Sequence, residues 1–263
     1  MNLVVLVKQV PDTTEIKIDA KTGNLIREGV ESIINPDDLY GLATSLELKK
    51  DLGGKITAIS MGPPSAIDAV SEALGMGIDE GILLTDKLFA GADTWATSRT
   101  LARAIEKAGE YDLVICGRQA IDGDTAQVGP QVAEFLGIPQ LTYVIGIESV
   151  DNNKIVVRRA LEHGYQKVES DLPALITVVK GICTPCYARA DLVFKACREN
   201  APIKVWNAAD LGFSVNEIGL AGSLTNVIKT FSPKMERDGK ILQGSIEEAV
   251  GRLMDQFREN HLI

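Results

Sequence analysis

Short apolar runs punctuate the first ~120 residues, and each is followed by a stretch with helical spacing. Residues 3–7, 55–60, 81–84 and 111–116 read as strands, and the unbroken apolar run 113–116 is the pattern of a strand covered on both faces. Asn35-Pro36-Asp37-Asp38 joins an N-cap residue, a proline at the first helical position and two first-turn acids; the helix it opens stops at Gly53-Gly54. Residues 65–75 and 94–109 read as the next two helices, and 16–26 as a hairpin insertion turning near Gly23-Asn24. Repeated β–α units of this length predict an α/β fold: a doubly wound, mostly parallel sheet with ligands at the carboxyl ends of its strands.

After Pro139 the texture changes. Residues 142–147, 154–160, 166–170 and 174–179 are successive β-like runs, with turns at Asp151-Asn152-Asn153 and His163-Gly164, and are expected to extend the sheet antiparallel. From Gly181 the patterning loosens, and 212–244 is rich in Gly, Ser, Thr, Asn and Pro. Residues 245–257 then form a capped amphipathic helix. The expected organisation is a nucleotide-binding α/β domain over 1–210 and a partner-seeking C-terminal arm over 211–263.

The most informative segment is 117–130, GRQAIDGDTAQVGP. It follows the strand ending at Cys116 and leads into a helix whose stripe is Val128, Val132, Phe135 and Leu136. Strand, Gly-acidic loop and helix together offer backbone N–H groups and a positive dipole end at a sheet edge, a seat for phosphate. Asp122 and Asp124 would repel phosphate face-on, so they are expected to turn sideways, capping the helix or accepting from ribose hydroxyls, while Gly123 gives the ligand clearance.

Composition narrows the field. Among 263 residues, 45% are hydrophobic but only 5% aromatic, suiting an aliphatic α/β core, and a net charge of −9 argues against nucleic acid as partner. Met1 leads straight into a strand and no apolar run reaches the ~18–20 residues of a membrane span, so a soluble cytoplasmic chain is expected. Cys183-Thr-Pro-Cys186 is one CxxC without the further ligands zinc wants, so no metal site is assigned. A thiol-redox role for Cys183 and Cys186 stays open, since a CxPC ahead of a helix lowers a thiol's pKa. No Rossmann glycine fingerprint, P-loop or nucleophile elbow occurs. No catalytic residue can be chosen, and hard chemistry would fall to a cofactor.

At these residues the chain resembles the β subunit of the electron-transfer flavoprotein family over essentially its full length. The resemblance is carried by Val7-Lys8-Gln9-Val10-Pro11-Asp12, by Asn35-Pro36-Asp37-Asp38, by the 117–130 loop, and by Val157-Arg158-Arg159-Ala160-Leu161-Glu162 with Gln166, Val168 and Pro173-Ala174-Leu175-Ile176-Thr177. His163 departs from the family pattern, as does Leu224, where proline is usual. The family implies a heterodimer in which a larger α subunit clasps the β chain and receives its arm. In ordinary members the loop holds AMP. In electron-bifurcating members it holds a second FAD, which takes a hydride from NADH and sends its electrons along two paths.

Small residues around Gly123 and Ala126, with Arg27-Glu28-Gly29-Val30 and Gly222-Ser223-Leu224-Thr225, resemble the bifurcating group of anaerobic metabolism. The resemblance then implies FAD in the loop (AMP as the alternative), NAD(H) as electron donor or acceptor, and ferredoxin or flavodoxin as low-potential acceptor. Carried over by position, the nucleotide contacts are Leu6, Asn35, Pro36, Asp37, Asp38, Met61, Gly117, Arg118, Gln119, Ala120, Ile121, Asp122, Gly123, Asp124, Thr125, Ala126, Gln127 and Val128. The family's dehydrogenase-docking loop maps to Pro185, Cys186, Tyr187, Arg189 and Ala190, where Cys186 replaces an arginine and Ala190 an apolar anchor. Losing such an anchor costs about 1–4 kcal/mol. That points away from a standard acyl-CoA dehydrogenase and toward another flavin dehydrogenase, such as one oxidising a 2-hydroxy acid like lactate.

Overall fold

The apolar runs become the centre of a nine-stranded sheet in the computed structural model, which describes residues 1–12, 17–18, 25–26, 31–151, 153–228 and 239–263. In chain order the elements begin β1 (Asn2–Leu6), β2 (Gln9–Pro11), β3 (Lys17–Ile18), β4 (Leu25–Ile26), β5 (Ser32–Ile34), α1 (Pro36–Leu52), β6 (Lys55–Met61), α2 (Ile67–Met76) and β7 (Glu80–Leu84). There follow α3 (Thr94–Ala108), β8 (Leu113–Gly117), α4 (Val128–Leu136), β9 (Gln140–Val150), β10 (Lys154–Ala160), β11 (Tyr165–Asp171) and β12 (Ala174–Val178). The last are α5 (Ala190–Ala196), β13 (Ile203–Trp206) and α6 (Ile246–Glu259). Of the expected hairpin insertion, β3 and β4 pair antiparallel, while its turn lies outside the described residues.

The sheet runs β11-β10-β9-β12-β8-β1-β6-β7-β13. Every pairing from β9 to β13 is parallel; β10 and β11 add antiparallel strands at one edge. Because side chains alternate across a strand, Leu3, Val5, Leu113 and Ile115 pack with Leu42 of α1 and Ala73 of α2 on one face. Val4, Leu6, Val114 and Cys116 pack with Ile105 of α3 and Val132 of α4 on the other. Both faces being covered is why the strands read as unbroken apolar runs.

One expectation needs correcting. Residues 174–179 do not extend the sheet antiparallel: β12 inserts between β9 and β8, parallel to both. All five β12 residues are buried, whereas β11 is largely exposed. A centrally placed strand must be apolar on both sides, and Ala174–Val178 is; an edge strand can alternate, and β11 does.

The chain divides into two compact units, Met1–Ile228 and Lys229–Ile263. Residues 211–228 fall in the first, where Leu211 and Ile218 are buried. Their end is clamped by Asp93. One of its carboxylate oxygens caps α3 through Ala96 N (3.0 Å). The other accepts from Leu224 N (2.9 Å), Thr225 N (2.9 Å) and Thr225 Oγ1 (3.0 Å). In the second unit, α6 starts with a reciprocal Ser245–Glu248 capping box and leaves Ile246, Val250, Leu253, Met254 and Phe257 exposed along one stripe. Among the described residues no helix is long and apolar enough to cross a membrane.

Two stability outcomes follow from this packing. Leu113→Ala, at a side chain with no solvent exposure, is expected to cost about 2–5 kcal/mol. Asp93→Ala, which removes a cap and the clamp together, is expected to cost about 1–2 kcal/mol. Urea unfolding of each variant measures both.

Candidate functional site

The carboxyl ends of β1 and β8 lie side by side at the centre of the sheet, and the chain leaves them toward opposite faces. β1 leads to α1 on one side, and β8 leads to α4 on the other. Such a switch point opens a crevice above the strand ends. Asp38, in the first turn of α1, spans it. Its Oδ2 accepts from Lys8 N just past β1 (2.8 Å), and its Oδ1 from Gly117 N at the end of β8 (3.1 Å). The side chain is only 6% exposed, and burial pushes its pKa up to about 7 against the opposing pull of these donors and of Asn35.

Asn35 completes the tie. It occupies the N-cap position of α1, but its side chain makes no capping bond. Fully buried, that side chain instead donates through Nδ2 to Gln119 O (2.9 Å) and accepts at Oδ1 from Ile121 N (3.0 Å). Asn35 N also donates to Lys8 O (2.8 Å). The helix start predicted from Asn-Pro-Asp-Asp is therefore also the brace that fixes the 117–128 loop. Gly117 is dictated by this closeness, since a Cβ there would stand 2.4 Å from Asp38 Oδ1 and 2.8 Å from the Asp37 backbone.

The loop's acids take partners within the protein, and neither caps α4. Asp122 pairs with Lys8 (2.7 Å) and Asp124 with the Gln119 side chain. The N-cap of α4 is Gln127, whose side chain makes no capping bond, and its first turn carries no acid. That helix start thus has no acidic side chain in its cap or first turn to offset its positive end. Residues 122–125 are exposed, and a Cβ on Gly123 would meet nothing within 4 Å, so the backbone there is open to approach. Asp124 and Ala126 hold left-handed φ angles of 55° and 53°; the latter is strained for a residue with a Cβ.

Arg118 leaves β8 between Asp37 and an aromatic ring. Its Nε lies 3.8 Å from Asp37 Oδ2, is buried, and has no hydrogen-bond partner. Burial raises the pKa of Asp37, with Arg118 pulling the other way. An uncapped helix start, a partly exposed guanidinium and an open backbone together suit the phosphates of a nucleotide. Of the other predicted contacts, Leu6 and Met61 turn their side chains into the α3/α4 core layer, leaving main chain at the edge. Pro36, Ala120, Thr125 and Val128 lie along the same rim, within α1, the loop and the start of α4.

The segment expected to dock a dehydrogenase follows β12 and leads into α5. Tyr187 is 96% exposed, Cys186 is exposed and Pro185 half-buried; Arg189 pairs with Asp191 (3.1 Å) ahead of α5, which starts at Ala190 and exposes Phe194. A groove of about 590 Å³ between α2, α5 and β13 adjoins it. Cys183 is half-buried against Tyr40 and Thr44 of α1, and burial raises its pKa. The CxPC setting therefore does not give Cys183 the lowered pKa that a thiol-redox role asks for.

A profile of the electron transfer flavoprotein domain matches residues 22–211. The chain is 51% identical to the electron transfer flavoprotein subunit beta of Thermoanaerobacterium thermosaccharolyticum, with all of both chains covered. It is 46% identical to the caffeyl-CoA reductase-Etf complex subunit CarD of Acetobacterium woodii, again over all of both chains. Against the acryloyl-CoA reductase electron transfer subunit gamma of Anaerotignum propionicum the identity is 40%, with the same full coverage.

Two outcomes test the crevice. Gly117→Ala is expected to lose about 1–3 kcal/mol of stability by forcing Asp38 aside. For Asp38, the folded pKa of about 7 exceeds the 3.8 of the free side chain, so its contribution to stability falls as pH rises across that window. The unfolding free energy of Asp38→Asn should therefore gain on wild type between pH 4 and pH 7 (both about), read from urea curves at each pH.

Proposed function

The chain belongs to the electron transfer flavoprotein family as a β subunit, and from that premise we propose that it holds FAD in the 117–128 loop. Joined to an α subunit, it then carries electrons by flavin-based bifurcation between NADH, a low-potential acceptor such as ferredoxin or flavodoxin, and a partner flavin dehydrogenase. The observation that carries this reading is the phosphate-ready rim: the α4 start without a side-chain cap, on a loop that begins at the partly exposed Arg118. The relatives named for caffeyl-CoA and acryloyl-CoA reductase complexes support a role in feeding a flavin enzyme.

The roles divide among this chain's residues. Asp38 and Asn35 hold the crevice at fixed width, the α4 start and Arg118 take the phosphates, and the main chain at Gly123 gives the dinucleotide room. FAD, when bound, would supply two-electron acceptance from a hydride and one-electron release. AMP is the second reading for the same rim, because its phosphate asks for the same donors; the chain would then carry no redox group of its own.

Two surfaces are assigned to partners. The exposed α6 stripe is the contact for the α subunit, since a five-residue apolar face on a capped helix buries itself only against another chain or domain. The segment from Pro185 to Ala190, with Tyr187 foremost, docks the dehydrogenase. With Cys186 and Ala190 in place of an arginine and an apolar anchor, that partner is a flavin dehydrogenase other than a standard acyl-CoA dehydrogenase, such as one oxidising a 2-hydroxy acid like lactate.

Nucleotide extracted from the purified α–β complex and scanned by absorbance tests the cofactor. The expected result is two flavins per heterodimer. One flavin together with AMP overturns bifurcation and selects the second reading.

A further inference from the structure

Tyr143 is a bulky residue held at φ 59°, in the left-handed region where a side chain of its kind is an outlier. It sits in β9 at an irregularity: the pairing with β12 shifts register between Ile176 and Val178. The shift is pinned by a bond from Tyr143 N to Oγ1 of Thr177 (3.0 Å), itself 2% exposed. Through Val144↔Val178 and Val178↔Gly117, this point is level with the carboxyl end of β8. The ring is 41% exposed, and the Arg118 guanidinium lies over it at 5.7 Å from the centroid.

Strain in a strand, an aromatic ring left half in solvent and a partly exposed guanidinium meet level with the carboxyl end of β8. We infer that Tyr143 is a positioning residue whose ring holds Arg118 at the carboxyl edge of β8, so that Arg118 donates to an anionic phosphate of the nucleotide in the 117–128 loop. Asp37 alone does not fix the guanidinium, because its carboxylate stops at ion-pair distance, 3.8 Å from Nε. A ring face beneath it restrains a planar cation without consuming its N–H donors, leaving those at the exposed end for phosphate. The inference rests on the loop being a nucleotide site.

Titration of the full chain, stripped of nucleotide, with AMP and with FAD tests it. Tyr143→Phe keeps the ring and should keep the affinity. Tyr143→Ala should weaken binding about three- to tenfold. Arg118→Met should weaken it at least as much, and the double variant Tyr143→Ala/Arg118→Met no further than Arg118→Met alone. Tyr143→Gly separates positioning from packing: relief of the left-handed backbone should leave melting temperature equal or higher while affinity falls. Wild-type affinity in Tyr143→Ala, or losses that add in the double variant, overturns the inference while leaving the nucleotide site standing. If wild type and all variants bind neither AMP nor FAD, the nucleotide reading itself fails.

Discussion

A single carboxylate, that of Asp38, receives the main-chain amides that leave two neighbouring strands. Those strands send the chain to opposite faces of the sheet, so nothing in the sheet's own hydrogen bonding fixes the distance between the segments that follow them. Asp38 supplies that restraint from the first turn of α1, and Asn35 extends it to the loop beyond β8. Burying a carboxylate this deeply is costly unless donors surround it, and here the donors are the backbone groups that must be held. The residues that build the crevice are therefore the residues that keep it open.

Much of the fold was legible because burial on both faces leaves an unmistakable imprint. Residues 3–7, 55–60, 81–84 and 111–116 could be read as parallel strands since each carries an apolar run and most are followed by a helical stretch. The place of β12 was harder. Its four apolar residues carried the same imprint, but its neighbours in sequence are an antiparallel meander, and order in a sheet is not order in a chain. The β13 strand at the far edge gave little signal, because two of its four residues are exposed.

The site was legible in its parts and not in its wiring. The loop and the Asn-Pro-Asp-Asp start were both visible as motifs. Propensity, however, assigned Asn35 to capping and Asp122 to capping or a ribose, whereas tertiary partners claimed both side chains. Local rules cannot weigh a partner eighty or more residues away. Tyr143 was missed altogether: in the sequence it is one aromatic residue in a β-like run, and only the backbone angle and the nearby guanidinium set it apart.

The Asp93 clamp gives a meaning to one departure from the family pattern. A proline at position 224 has no amide hydrogen and would shape the turn by the stiffness of its ring. Leu224 keeps the hydrogen and gives it to Asp93, so here the turn is secured by an ionised group instead of by covalent geometry. Backbone donors hold the Asp93 carboxyl below the usual range, so the fastening persists through neutral and mildly acidic conditions and slackens only in strong acid. The outgoing segment of this chain is thus fastened by something that titrates.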